Sequence, residues 1–157
     1  MPHLNYVSVF DSIIRLKAWG SDESASGHGS TVGGTAILRR RLADAFAHLQ
    51  IRSFVDAPCG DMNWMRHVEY KFDKYVGIDL VPRVINKLRK QTFPTAYNFQ
   101  IGNIVTDVLP AGNFQIGNIV TDVLPAGDAL FCRDCFGSPT VFGDSCGAQI
   151  LFLRDLS

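Results

Sequence analysis

The chain is poor in the features that mark specialised protein classes. It has 157 residues, with only 4 cysteines and 2 tryptophans, and its 15 Lys+Arg are balanced by 15 Asp+Glu. Four unevenly spaced cysteines (Cys59, Cys132, Cys135, Cys146) are too few for a disulfide scaffold. They point to reduced thiols and a cytoplasmic location. Zero net charge argues against a nucleic-acid partner or a polybasic membrane surface. No apolar run approaches the roughly 18 residues that a membrane span needs. The opening MPHLNYVSVFDSII has no basic stretch followed by an apolar core, so no secretory leader is expected. His3, His48 and His67 lack partners at ligand or triad spacing, and no nucleophile elbow is present, which disfavours hydrolases. The four thiols match the number a structural zinc needs, but there is a single CxxC, Cys132 to Cys135, and Cys59 lies within the VDAPCGD turn, so no metal is expected.

What is present is an ordinary globular composition, 46% hydrophobic and 19% charged, with a length that suits one domain. Residues 3–19 place Val9, Ile13, Ile14 and Trp19 at roughly helical spacing and predict a short helix. Residues 20–34, GSDESASGHGSTVGG, read as a Gly/Ser loop. It is either a linker or a lid, with Asp22, Glu23 and His28 as its polar candidates. Thr35 is placed to cap a second helix whose apolar face is Leu38, Leu42, Ala45, Phe46 and Leu49. Arg39, Arg40 and Arg41 read as its solvated side.

The period then changes. SFVDAPC (53–59) reads as a buried strand followed by a turn, and YVGIDL (75–80) as a second strand ending in an acid. VPRVINKLRK follows, with Pro82 at a helix start and Val81, Val84, Ile85 and Leu88 on one face. FQIGNIV supplies a third strand and ALFCRD (129–134) a fourth. Strands alternating with helices predict an α/β fold with a parallel sheet.

Two segments depart from this order. NFQIGNIVTDVLPAG occurs at 98–112 and again, without mismatch, at 113–127. A period of 15 in two copies is too short for a solenoid and indicates a recent tandem duplication. Only one copy is needed as the third strand. Residues 137–157 form an irregular tail, with room for a helix over AQILFLRDL at 148–156. With suitable codons, Gly137 to Cys146 reads one base over as Val-His-Leu-Pro-Phe-Ser-Glu-Ile-Arg. That suggests a local frame disturbance, which the coding DNA would reveal.

The chemistry centres on VDAPCGD (Val55 to Asp61) and on Asp79, 23 residues after Asp56. In nucleotide-binding α/β folds an acid at the end of the second strand accepts hydrogen bonds from ribose hydroxyls, and ligands lie beyond the carboxyl ends of the strands. A dinucleotide site uses three glycines to approach a pyrophosphate. This turn has one, Gly60, flanked by Asp56 and Asp61. Each carboxylate would oppose a phosphate by about 4 kcal/mol at 4 Å and an effective dielectric of 20. A cationic nucleoside without phosphate suits the turn better than NAD does.

VDAPCGD and YVGIDL resemble the first two motifs of the class I S-adenosylmethionine-dependent methyltransferases. GNI after the third strand and ALFCRDC resemble the later ones. WGSDESASGHGST (Trp19 to Thr31) is similar to an N-terminal segment in a bacterial subset of that family. The resemblance covers roughly residues 10–136. It implies a Rossmann-like parallel sheet in a three-layer sandwich, here incomplete, with about four of the usual seven strands. Residues 1–34 would be the N-terminal helix and loop, and 35–136 a partial cofactor-binding domain.

By the same resemblance, Asp56, Ala57, Gly60 and Asp61 would line the methionine end of S-adenosyl-L-methionine, with Cys59 contributing only its backbone. Asp79 would bind the ribose and Leu80 would pack on the adenine. Asn103 or Asn118 would meet the adenine amine. Arg133 would face the cofactor, and Asp134 is the nominal general base. Trp64, at the start of a helix after the turn, would shield the cofactor or join the core. The methyl acceptor is unspecified. Only 23 residues follow Asp134, so the fourth strand is expected at an unpaired edge and stability to be marginal. The alternatives are an inactive fragment with at most cofactor binding, and an NAD-binding module.

Overall fold

The computed structural model describes residues 5–103 and the strands 129–132 and 149–151. Strand β1 is Ser53–Asp56 and β2 is Lys74–Asp79. They run parallel, with Phe54 opposite Tyr75 and Asp56 opposite Gly77. From Tyr75 to Asp79 every residue of β2 is buried. Burial on both faces is what an unbroken apolar run in a parallel strand reflects. Strand β3, Tyr97–Ile101, lies parallel to β2, and β4, Ala129–Cys132, lies parallel to β1. Strand β5, Gln149–Leu151, is antiparallel to β4. The order is β3-β2-β1-β4-β5, so the chain builds outward from β1 on one side and then returns to its other side.

The parallel α/β arrangement expected from the sequence is therefore present. Two expectations for the tail are corrected. The segment proposed as a helix over 148–156 is a strand at Gln149–Leu151, and β4 is paired on both sides rather than left at an edge. The open backbone groups of β4 require partners, and a strand supplies them where a helix would not. β3 takes the first copy of the repeated segment, beginning one residue before it at Tyr97. The second copy, 113–127, lies outside the described residues.

Among the described residues three α-helices accompany the sheet. Helix α1, Tyr6–Arg15, starts at Asn5, whose side chain accepts from the Ser8 amide. It is shorter than the apolar pattern over 3–19 suggested, because Lys17 (φ +50°) and Gly20 (φ +73°) turn the chain. Trp19 lies beyond the helix and meets Phe10 at 6.3 Å between ring centres. Asp11 ties α1 to α3 through Arg83 at 2.8 Å.

Helix α2, Ala36–His48, buries Leu42 and Phe46, as its apolar face required. Thr35 stands at its N-cap position, but its hydroxyl donates backward to the Thr31 carbonyl instead of accepting a helix amide. Arg40 and Arg41 are solvated, whereas Arg39 turns inward and donates to the carbonyls of Val32 and His67. Helix α3, Pro82–Leu88, begins with Pro82 and buries Val84, Ile85 and Leu88.

The core is aromatic. Phe46 of α2 meets Phe54 edge-on at 4.8 Å, and Phe72 stacks on Phe54 at 5.0 Å. Tyr75 stacks on Tyr97 at 4.4 Å. Each fully buried ring of this size contributes about 1.5–3 kcal/mol through removal from water. Trp64 belongs to this core, at 7% exposure, so the packing role holds. The helix expected after the Gly60 turn is absent. Gly60 (φ +56°) and Met62 (φ +60°) hold left-handed backbone, and only a 3₁₀ turn at Met65–His67 follows. A non-glycine residue at positive φ interrupts a right-handed helix at its first turn.

Candidate functional site

Asp56 ends β1 and Asp79 ends β2, on the same side of the sheet and at the same end. Side chains alternate along a strand, so Phe54 and Asp56 share a face with Tyr75, Gly77 and Asp79. Gly77 lies between the two acids for a steric reason. A Cβ there would meet the Phe99 ring at 2.7 Å and the Cys59 sulfur at 3.1 Å. The Cys59 thiol thus packs over Gly77, while its amide donates to the Ile78 carbonyl at 2.8 Å.

The two acids are held differently. Asp79 is 7% exposed, and Oδ2 accepts from the Gly60 amide at 3.1 Å while Oδ1 accepts from the Val81 amide at 2.9 Å. Burial raises its pKa above the usual carboxylate range; the two amides pull against that rise. A carboxylate has about four lone-pair sites, so acceptor capacity remains. Asp56 is 2% exposed and accepts from the Tyr75 hydroxyl, which also touches the Met62 sulfur at 3.0 Å. Burial foremost, and then Asp56, push the Tyr75 hydroxyl well above its ordinary value.

Asp61 is turned toward the N-terminal segment. Its carboxylate accepts from the Ser24 hydroxyl at 3.1 Å, the Ala25 amide at 2.7 Å and the Asn63 amide at 3.2 Å. The segment Gly20–Gly34 is accordingly a folded strap against the turn, not a linker. Ser21, Ser24 and Ser30 are buried within it. Glu23 accepts from the Val32 amide at 2.6 Å and from Asn63 Nδ2 at 2.7 Å, and these bonds hold its carboxyl below the usual range. Of the other lid candidates, Asp22 pairs with Lys17 at the surface and His28 is exposed beside Gly20.

No family model, no curated protein and no solved structure matches the chain. The site therefore stands on its own geometry.

Cys59 lies buried among these acids. Burial raises the thiol well above its ordinary pKa, and Asp56, Asp79 and Asp61 each push it further. Asp56 and Asp79 thus close the carboxyl ends of β1 and β2, and Asp61 stands in the turn after β1. Of the remaining sequence candidates, Ala57 is fully buried, and Leu80 and Asn103 are half-buried at the same end of the sheet. Asn118, Arg133 and Asp134 lie outside the described residues. Among the described residues no cluster of His, Cys, Asp and Glu could hold a metal, and no helix is long and apolar enough to cross a membrane.

Sequence reasoning missed Tyr75, Ser24, Ser26 and Asn63. Tyr75 sits in an apolar run and reads as core, which hides its hydroxyl. The serines of the strap carry no periodicity. The only available signal was that four of them fall within ten residues, 21–30, which suits a segment bonded through its side chains.

Proposed function

We propose that the chain is a Rossmann-like, three-layer nucleotide-binding unit of the class I methyltransferase type, and that the mouth of β1 and β2 holds S-adenosyl-L-methionine. The observation that carries this is the link between Asp79 and the Gly60 amide. It joins the acid that ends β2 to the glycine turn that follows β1. The order β3-β2-β1-β4-β5 reverses at β1, and such reversals are where α/β sheets bind ligands.

The donor set fits this cofactor. Asp79 retains acceptor capacity for two ribose hydroxyls. The two acids that end β1 and β2, Asp56 and Asp79, favour an ammonium and a sulfonium and disfavour a pyrophosphate. Gly60 adopts its left-handed backbone without strain, and that turn points its amide at Asp79. Leu80 and Asn103, half-buried at the same end of the sheet, are the adenine contacts of this reading. When bound, S-adenosylmethionine supplies a methyl group on a positively charged sulfur, open to in-line displacement. The chain's part is to hold it: Asp79 fixes the ribose and the Gly60 turn fixes the methionine end. Alignment of this kind is a large share of catalysis in such displacements.

Calorimetric titration with S-adenosylmethionine, S-adenosylhomocysteine and NAD tests the reading. The first two are expected to bind and NAD is not. Asp79→Ala should abolish binding. Failure of all three ligands would support the inactive-fragment alternative, and NAD binding alone would support the dinucleotide one. Transfer of a labelled methyl group to a cell extract tests activity.

A further inference from the structure

We propose that Asp61 is a positioning residue: it fastens the strap Gly20–Gly34 across the Gly60 turn, so that Ser26 forms the outer wall of the site. What the wall encloses rests on the S-adenosylmethionine reading; the fastening itself does not. The family resemblance assigns Asp61 to the cofactor, yet its carboxylate is already engaged. It accepts from the Ser24 hydroxyl, the Ala25 amide and the Asn63 amide. Ser24 is 2% exposed and Asp61 half-buried, so this joint is partly withdrawn from water, and hydrogen bonds to a charged group are the stronger kind.

A second joint lies close by. Asn63 Nδ2 donates to Glu23 Oε1 at 2.7 Å and to the Ser30 carbonyl at 3.0 Å. The two joints grip the strap at 23–25 and at 30. Between them the chain rises over Gly60, where a Cβ would stand 2.5 Å from Ser26 Oγ. The missing side chain of Gly60 is the space that Ser26 uses. The same Gly60 donates its amide to Asp79. A continuous path of contacts thus runs from Asp61 through Ser24 and Ser26 to Gly60 and the acid that ends β2.

Hydrogen exchange and calorimetry on the full chain separate this role from direct cation binding. Asp61→Ala should speed exchange at the Ala25 and Val32 amides on the order of tenfold or more, the factor given by losing a hydrogen bond to a charged group. Ser24→Ala keeps the carboxylate and removes only the joint, so it should act in the same direction. Both variants should weaken S-adenosylmethionine and S-adenosylhomocysteine by equal factors, because a loosened wall does not sense the sulfonium charge. A loss confined to S-adenosylmethionine in Asp61→Ala, or unchanged affinities in Ser24→Ala, would overturn the positioning role. Wild-type exchange at Ala25 in both variants would overturn the fastening. If the wild-type chain binds neither ligand, the functional reading fails, while the exchange result still decides whether Asp61 holds the strap.

Discussion

The Tyr75 hydroxyl donates to the Asp56 carboxylate inside the protein, with the two residues 100% and 98% removed from solvent. The acid at the end of β1 is thereby paired with a phenol two residues before Gly77 on the adjacent strand. Tyr75→Phe removes this hydroxyl donor from the buried Asp56 carboxylate. The expected loss is about 1.5–3 kcal/mol of stability, the worth of a hydrogen bond to a charged group. Urea unfolding measures it. Adding Asp56→Ala to Tyr75→Phe should cost less than the two single losses summed, since both partners are then gone.

Gly77→Ala is expected to destabilise by about 1–3 kcal/mol, because the sheet face there is already filled. The new methyl would meet Phe99 at 2.7 Å and Cys59 at 3.1 Å. Combining it with Phe99→Leu should recover part of the loss. Strict additivity of the two substitutions in urea unfolding would show that the ring is not the obstacle.

Asp79 gives a pH dependence whose sign can be worked out. Burial raises its pKa above the usual 3.8 in the folded protein. Between 3.8 and the raised value the folded chain therefore binds more protons than the unfolded chain. Stability falls as pH rises through that window and the contribution is level above it. Asp79→Asn should remove this segment of slope. Unfolding free energies taken at pH steps on either side of the window check it, and identical slopes in the two proteins would count against it.

Deleting 113–127 should leave the fold intact, since β3 is built from Tyr97–Ile101. The deletion shortens the connection between Ile101 and Ala129 from 27 residues to 12. Tyr97 precedes the repeated sequence and stacks on Tyr75. The residue at the equivalent place before the second copy is Gly112, which has no ring to offer. Tyr97→Ala should therefore cost about 1–2 kcal/mol in stacking and burial. Thermal unfolding followed by circular dichroism compares the variants.

The parts of the fold that were legible from sequence are those set by burial. β2 reads as a strand because Tyr75 to Ile78 are compact residues suited to a two-sided strand, and α3 reads as a helix because Pro82 opens a stripe of Val84, Ile85 and Leu88. The segment after Gly60 was misjudged for a local reason. Met62 to Val68 has helical propensity, but left-handed backbone at Met62 prevents the first turn from forming. The tail was misjudged for a non-local one: Gln149–Leu151 is a strand because β4 offers it an edge, and no window of sequence contains both. At the candidate site, Asp56, Gly60 and Asp79 could be placed from motif and spacing. The partners of Asp56 and Asp61 could not, because Tyr75 and Ser24 lie 19 and 37 residues away and reach them only in the folded chain.

The reversal of strand order at β1 has a thermodynamic consequence. A small molecule seated at that crevice would touch segments laid down at the beginning and in the middle of the chain, which meet only once the sheet has closed. It would have no affinity for the open polypeptide. At a hundredfold excess over its dissociation constant, mass action alone would then add about 2.7 kcal/mol to the unfolding free energy. A ligand screen read by melting temperature would exploit that coupling directly.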